Sequence, residues 1–143
     1  MTAPLLLDGN SLSIADLAAV ADGHRSVRLA PAARTRMATT RGIVEGLAAR
    51  GEAVYGVTTG FGKLSDFAIP PDQLAQLQVN LVRSHAAGVG PRLPRREVRA
   101  MMVLRANVLA KGFSGARPEL AELLCAMLDA GLAIQGHRAA KVE

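Results

Sequence analysis

The 143 residues carry a formal charge of +5 and a pI of about 10.3, and half of them are apolar while only 3% are aromatic. That length suits one ordinary domain, and a core built from Leu, Val, Ala and Met favours helices, because β-branched and aromatic residues dominate strands. The arginines alternate with acids in no like-charge block, stacking aromatics are scarce, and no apolar run nears the ~18 residues of a membrane span, which argues against a nucleic-acid binder and a membrane protein.

The chain starts with Leu5-Leu6-Leu7, an apolar run too short for a signal peptide and lacking a basic flank. A short strand is predicted there, with Asp8-Gly9-Asn10 as a turn. Ser13 followed by Asp16 has the spacing of a helix-capping box. Ile14, Leu17, Ala18 and Ala21 then share a helical face that Gly23 ends. Val27-Arg28-Leu29 alternates as a short strand does. Pro31 suits the first turn of the next helix. Ala33, Met37, Thr40, Val44 and Leu47 recur at 4-3-4-3 spacing along it, and Gly51 stops it.

The stretch Ala53-Val54-Tyr55-Gly56-Val57-Thr58-Thr59-Gly60-Phe61-Gly62-Lys63 starts like a buried strand and becomes a glycine loop. Its glycines permit positive φ or close backbone approach, at a cost in chain entropy that a plain turn seldom needs. It fails as a phosphate loop, since Val57 and Leu64 stand where a glycine and a hydroxyl belong, and as a dinucleotide loop, since Ser65 replaces the last glycine. Tyr55 is the sole tyrosine. Two readings stand for it. Its ring packs and its hydroxyl bonds to backbone, or it is a general base, which needs a nearby cation or helix N-terminus to ionise near neutrality.

Pro70-Pro71-Asp72 opens a helix on which Leu74, Leu77, Gln78, Leu81, Val82 and His85 share a face, and Gly88, Gly90 and Pro91 close it. His85 is either a hydrogen-bonded core histidine or a ligand contact in the last helical turn, where the helix dipole favours its protonated form. Pro94 opens another helix with Val98, Met101, Met102, Val108 and Leu109, apolar almost all round and expected to be buried on several sides. Lys111-Gly112-Phe113-Ser114-Gly115 breaks it. A last helix runs from Pro118 through Leu120, Leu123, Leu124, Met127 and Leu128 to Gly131. Cys125 lies among its leucines as a small core residue. As the lone cysteine it allows no intrachain disulfide, which suits a reduced, cytoplasmic setting. No Cys/His/carboxylate cluster has metal-ligand spacing. After Leu132 periodicity ends, and residues 133–143 read as an irregular tail.

Four blocks carry a resemblance. They are Tyr55-Gly56-Val57-Thr58-Thr59-Gly60-Phe61-Gly62, Leu77 through Gly90 with its Ser84-His85 pair, Arg105-Ala106-Asn107, and Lys111 through Gly115. Together they resemble the histidine and aromatic amino acid ammonia-lyase family over about Val27 to Leu132, with Ser84-His85 like the histidine ammonia-lyases. Thr58-Thr59 departs from the Asn-Thr more usual there. The resemblance implies an α-rich α+β fold: residues 1–132 as a small head domain with short strands plus the first helices of a helical bundle. It implies elimination of ammonia from an amino acid, giving urocanate when the substrate is histidine. Tyr55 then takes the β-proton, Gly62 lines the pocket through its backbone, and His85 contacts the substrate side chain.

Family members are homo-oligomers that use a methylidene-imidazolone formed from an internal Ala-Ser-Gly. That tripeptide is absent from these 143 residues, so no cofactor is expected in this chain and it is expected to be inactive alone. The alternatives are a truncated interaction module that binds lyase subunits or itself, and a tyrosine or phenylalanine ammonia-lyase-like fragment. The apolar helix around Met101–Leu109 is expected to expose surface and promote self-association.

Overall fold

The computed structural model describes residues 3–52, 54, 58–60, 69–86, 88 and 90–132. The elements are β1 (Leu5–Leu7), α1 (Ile14–Ala21), β2 (Val27–Leu29), α2 (Pro31–Ala49), a 3-10 turn (Pro71–Gln73), α3 (Leu74–His85), α4 (Arg95–Ala110) and α5 (Pro118–Asp129). Among the described residues, five α-helices and a two-stranded sheet make the expected α-rich α+β fold. The chain divides into two compact units, Met1–Arg41 with Val89–Glu143, and Gly42–Gly88.

In the first unit β1 and β2 pair in parallel, Leu5 with Val27, Leu6 with Arg28 and Leu7 with Leu29, and α1 is the crossover between them. A parallel pair needs such a crossover. Alternation along β1 buries Leu5 and Leu7 and leaves Leu6 in solvent. Helix α4 packs against both α1 and α5, and α5 covers β2. The core joins Leu7, Val20, Val27, Met37, Met102, Val103 and Leu128. Cys125 belongs to it. Burial pushes its thiol up to about 11, with the Asp129 carboxylate adding to the shift, so it packs as a small apolar group.

Helix boundaries follow the sequence signals. The Ser13 hydroxyl accepts the Asp16 amide at 3.1 Å and donates to the Asp16 carboxylate at 2.6 Å, capping α1. The Gly23 amide then bonds back to Val20 and His24 to Ala19, the left-handed close of a Schellman turn. Gly131 and Leu132 close α5 in the same way. Two glycines are required by close approach. At Gly9, φ is +90°, and a Cβ would sit 2.8 Å from the Lys111 backbone nitrogen. At Gly112, φ is +78°, and a Cβ would sit 2.9 Å from Cβ of Arg36.

Two sequence expectations need correction. On α1 the buried residues are Val20 and Ala21, at its C-terminal end, while Ile14 is 86% exposed. Helix α4 buries only one side. Val98, Met102 and Leu109 are covered, but Met101, Leu104 and Val108 form an exposed stripe at 3-4 spacing. On α5 Leu120 and Leu123 are likewise exposed while Leu124 and Leu128 are buried.

The described part of the second unit is mainly the end of α2, the 3-10 turn and α3. Helix α3 has no buried residue. Leu74, Leu77 and Leu81 are half-buried at 3-4 spacing, while Val79 and Val82 are exposed.

Candidate functional site

Of the three residues predicted for the site, Tyr55 and Gly62 lie outside the described residues, as does most of the predicted strand and glycine loop. Residues 54 and 58–60 around Tyr55 are described. The Thr58 amide donates to the Val54 carbonyl at 3.0 Å, and the Val54 amide donates to the Thr58 hydroxyl at 2.9 Å. That hydroxyl donates in turn to the Glu52 carbonyl. The Thr58 carbonyl accepts the Ile69 amide at 2.9 Å. Thr58 and Thr59 are both buried. The Thr58 hydroxyl thus serves two part-buried backbone groups at once, and at a net contribution of about 0.5–1.5 kcal/mol per hydrogen bond this makes Thr58 the anchor of the segment. Gly60 is buried as well. Sequence reading passed over Thr58. The signal was present, since short hydroxyl side chains commonly bond to nearby turn backbone.

His85 is the last residue of α3 and is exposed, which removes the reading as a core histidine. Its Nδ1 lies 2.9 Å from the Leu81 carbonyl oxygen and 3.0 Å from the Ser84 hydroxyl, which itself donates to Leu81 at 2.9 Å. Among the described residues Nε2 has no partner. Arg83 shares this last turn, where positive charge suits the helix dipole.

The block Arg105-Ala106-Asn107 with Lys111 through Gly115 has a supporting place in the first unit. The Asn107 side chain accepts the Gly9 amide at 3.1 Å, and Lys111 donates to the Asn10 side chain at 3.2 Å. Arg36 spans the Asp8 and Ala110 carbonyls at 2.6 and 3.1 Å, and Thr40 donates to the Gly112 carbonyl. These bonds tie the turn after β1 to the C-terminal end of α4.

A cleft of about 640 Å³ in the first unit is lined by Arg25, Arg95, Arg96 and Arg99 with Asp22 and Asp129. It contains none of the predicted site residues, and its arginines are already engaged. Arg99 is buried and donates to the Val20, Ala21 and Leu128 carbonyls at 2.8, 3.0 and 2.9 Å. Arg95 donates to the Gly131 carbonyl, and Arg96 to the Asp22 carboxylate at 2.5 Å. Basic residues in the first turn of α4 oppose its own dipole. They offset this by closing the negative C-terminal ends of α1 and α5. Desolvation lowers the Arg99 pKa, the neighbouring Arg95 charge lowers it further, and Asp129 opposes both. Among the described residues no group of His, Cys, Asp and Glu could hold a metal ion, and no helix is long and apolar enough to cross a membrane.

The model of the family described as "Aromatic amino acid lyase" matches residues 12–133. This chain belongs to the aromatic amino acid lyase family. It is 53% identical over 128 residues to a histidine ammonia-lyase of Anaeromyxobacter dehalogenans, covering 90% of this chain and 25% of that one. A histidine ammonia-lyase of Gloeobacter violaceus is 51% identical with the same coverage. Among solved structures, the histidine ammonia-lyase of Trypanosoma cruzi superposes with a TM-score of 0.80 and 36% identity, over 90% of this chain and 24% of that one. The ergothionase of Treponema denticola superposes at 0.89 and 33%, over 96% and 28%. The chain thus spans about a quarter of the length of the lyases it matches, and corresponds to their N-terminal part.

Proposed function

We propose that this chain supplies the N-terminal part of a histidine ammonia-lyase, an enzyme that eliminates ammonia from L-histidine to give urocanate. The observation that carries this is the 53% identity to a histidine ammonia-lyase across nearly the whole chain. The Ser84-His85 pair at the end of α3 supports it. In this reading the Tyr55 phenol takes the β-proton, the Gly62 backbone lines the pocket, and His85 contacts the substrate side chain. The setting is cytoplasmic, which the lone buried Cys125 supports. The working form is a homo-oligomer.

The family's methylidene-imidazolone does not fit these residues, because no Ala-Ser-Gly is present from which to form it. The 143 residues alone therefore eliminate no ammonia. The test mixes the purified chain with a histidine ammonia-lyase polypeptide that lacks its own N-terminal quarter, and follows urocanate absorbance. Turnover by the mixture and by neither part alone supports the reading. Turnover by this chain alone overturns the claim that it is inert. A stable mixed complex without turnover overturns the assignment of site residues.

The exposed stripe Met101, Leu104 and Val108, with Leu120 and Leu123, favours a second reading. Exposed contiguous apolar surface marks an interaction site. Here it docks onto a full-length lyase subunit, which has the sequence that this chain, a quarter of its length, does not match. Co-purification lost on Leu104→Glu supports docking. A monodisperse monomer that binds no lyase rejects it, and a dimer of this chain alone assigns the stripe to self-association.

A further inference from the structure

Three atoms at the end of α3 decide which nitrogen of His85 holds the ring proton. The Leu81 carbonyl oxygen only accepts hydrogen bonds. It lies 2.9 Å from Nδ1, so a bare Nδ1 would set two lone pairs against each other at that distance. Placing the proton on Nδ1 turns the repulsion into a hydrogen bond. The Ser84 hydroxyl completes the arrangement. It donates to Leu81 at 2.9 Å, which turns its own lone pairs toward Nδ1 at 3.0 Å. The Nδ1–H is then shared between two acceptors. The reverse arrangement, with Ser84 donating into a bare Nδ1, gives up the Ser84–Leu81 bond and leaves the Nδ1–Leu81 contact repulsive.

We propose that Ser84 is a positioning residue: with the Leu81 carbonyl it fixes His85 as the Nδ1–H tautomer and leaves Nε2 to accept a hydrogen bond from the substrate side chain. The partner of one ring nitrogen sets the state of the other. Among the described residues Nε2 has no partner, so its lone pair is the group His85 offers. The inference rests on His85 being a substrate contact. Granted that, it also states the direction of the contact.

The ring ¹⁵N shifts of the neutral His85 imidazole in the 143-residue chain test this directly. The expected spectrum has Nδ1 in the protonated, pyrrole-like range and Nε2 in the bare, pyridine-like range. Free histidine side chains favour the opposite tautomer. Ser84→Ala moves both shifts toward a mixture, and Ser84→Thr, which restores the hydroxyl, moves them back. Far-UV circular dichroism of each variant confirms that α3 is retained. A wild-type spectrum dominated by Nε2–H overturns the proposal, as do Ser84→Ala shifts identical to wild type. No substrate or turnover enters this measurement, so its failure is separate from failure of the lyase reading.

Discussion

Arg99 is the single side chain whose loss should damage the first unit most. It is buried and reaches three backbone carbonyls, two at the end of α1 and one at the end of α5. Arg99→Met keeps much of the volume and removes every one of those bonds. Hydrogen bonds to a charged group contribute about 1.5–3 kcal/mol each, for a gross loss of ~4.5–9 kcal/mol over three. The desolvation of the guanidinium, several kcal/mol per buried ion, is recovered on substitution. The net expected loss is about 3 kcal/mol. Between the size classes of small and medium domains this lowers Tm by ~10 °C. Thermal unfolding by circular dichroism gives the number. Arg99→Lys should fall between the two, because a compact ammonium cannot span three carbonyls as a planar fork does. An Arg99→Met protein melting within ~2 °C of wild type would refute the reasoning. So would a Lys variant no better than Met, since charge and geometry would then count for nothing.

Other outcomes follow from single contacts. Thr58→Val keeps the shape and loses the hydroxyl, so the Val54 amide should exchange about 10-fold faster with solvent deuterium, equivalent to ~1.4 kcal/mol, while Thr58→Ser stays near wild type. Gly9→Ala meets both a positive φ and the Lys111 backbone, so it should cost more than Gly23→Ala, which has a positive φ but open space; denaturant midpoints rank the two. Acid should destabilise the fold through Asp22, whose pKa is held below 3.8 first by its hydrogen bond from Arg96 and then by the Arg96 charge. A lowered folded-state pKa means the unfolded chain binds the proton first. The stabilisation is therefore complete above pH 3.8 and is lost as pH falls through the lowered value, so Tm of Asp22→Asn should decline less steeply with acid than wild type.

Much of this architecture was legible in the sequence because it depends on local chemistry. Pro31 and Pro118 open α2 and α5 as their fixed φ dictates. Ser13 caps α1, and Gly23 and Gly131 close helices with positive φ. What escaped was long-range. Periodicity placed Ile14 on the apolar face of α1, yet whether a face is covered depends on where α4 lies. Periodicity alone also read α4 as buried on several sides, whereas the resemblance pointed to exposed surface around Met101–Leu109, where Met101, Leu104 and Val108 are exposed. Arg99 reads as a surface residue in sequence, because its three acceptors lie 29, 78 and 79 positions away. In the candidate site, the block pattern marked Tyr55, the Ser84-His85 pair and Thr58-Thr59, but it gave the two hydroxyls at Ser84 and Thr58 no role. Thr58 and Ser84 act through hydrogen-bond geometry that residue spacing does not encode.

The most direct measurement exchanges the N-terminal quarter of an active histidine ammonia-lyase for this chain, then compares the hybrid with the same hybrid carrying Tyr55→Phe. Proton transfer by a positioned side chain contributes about 10²–10⁴-fold, so urocanate formation should persist in the first and fall by at least ~100-fold in the second. Equal rates with and without the phenol would contradict the account.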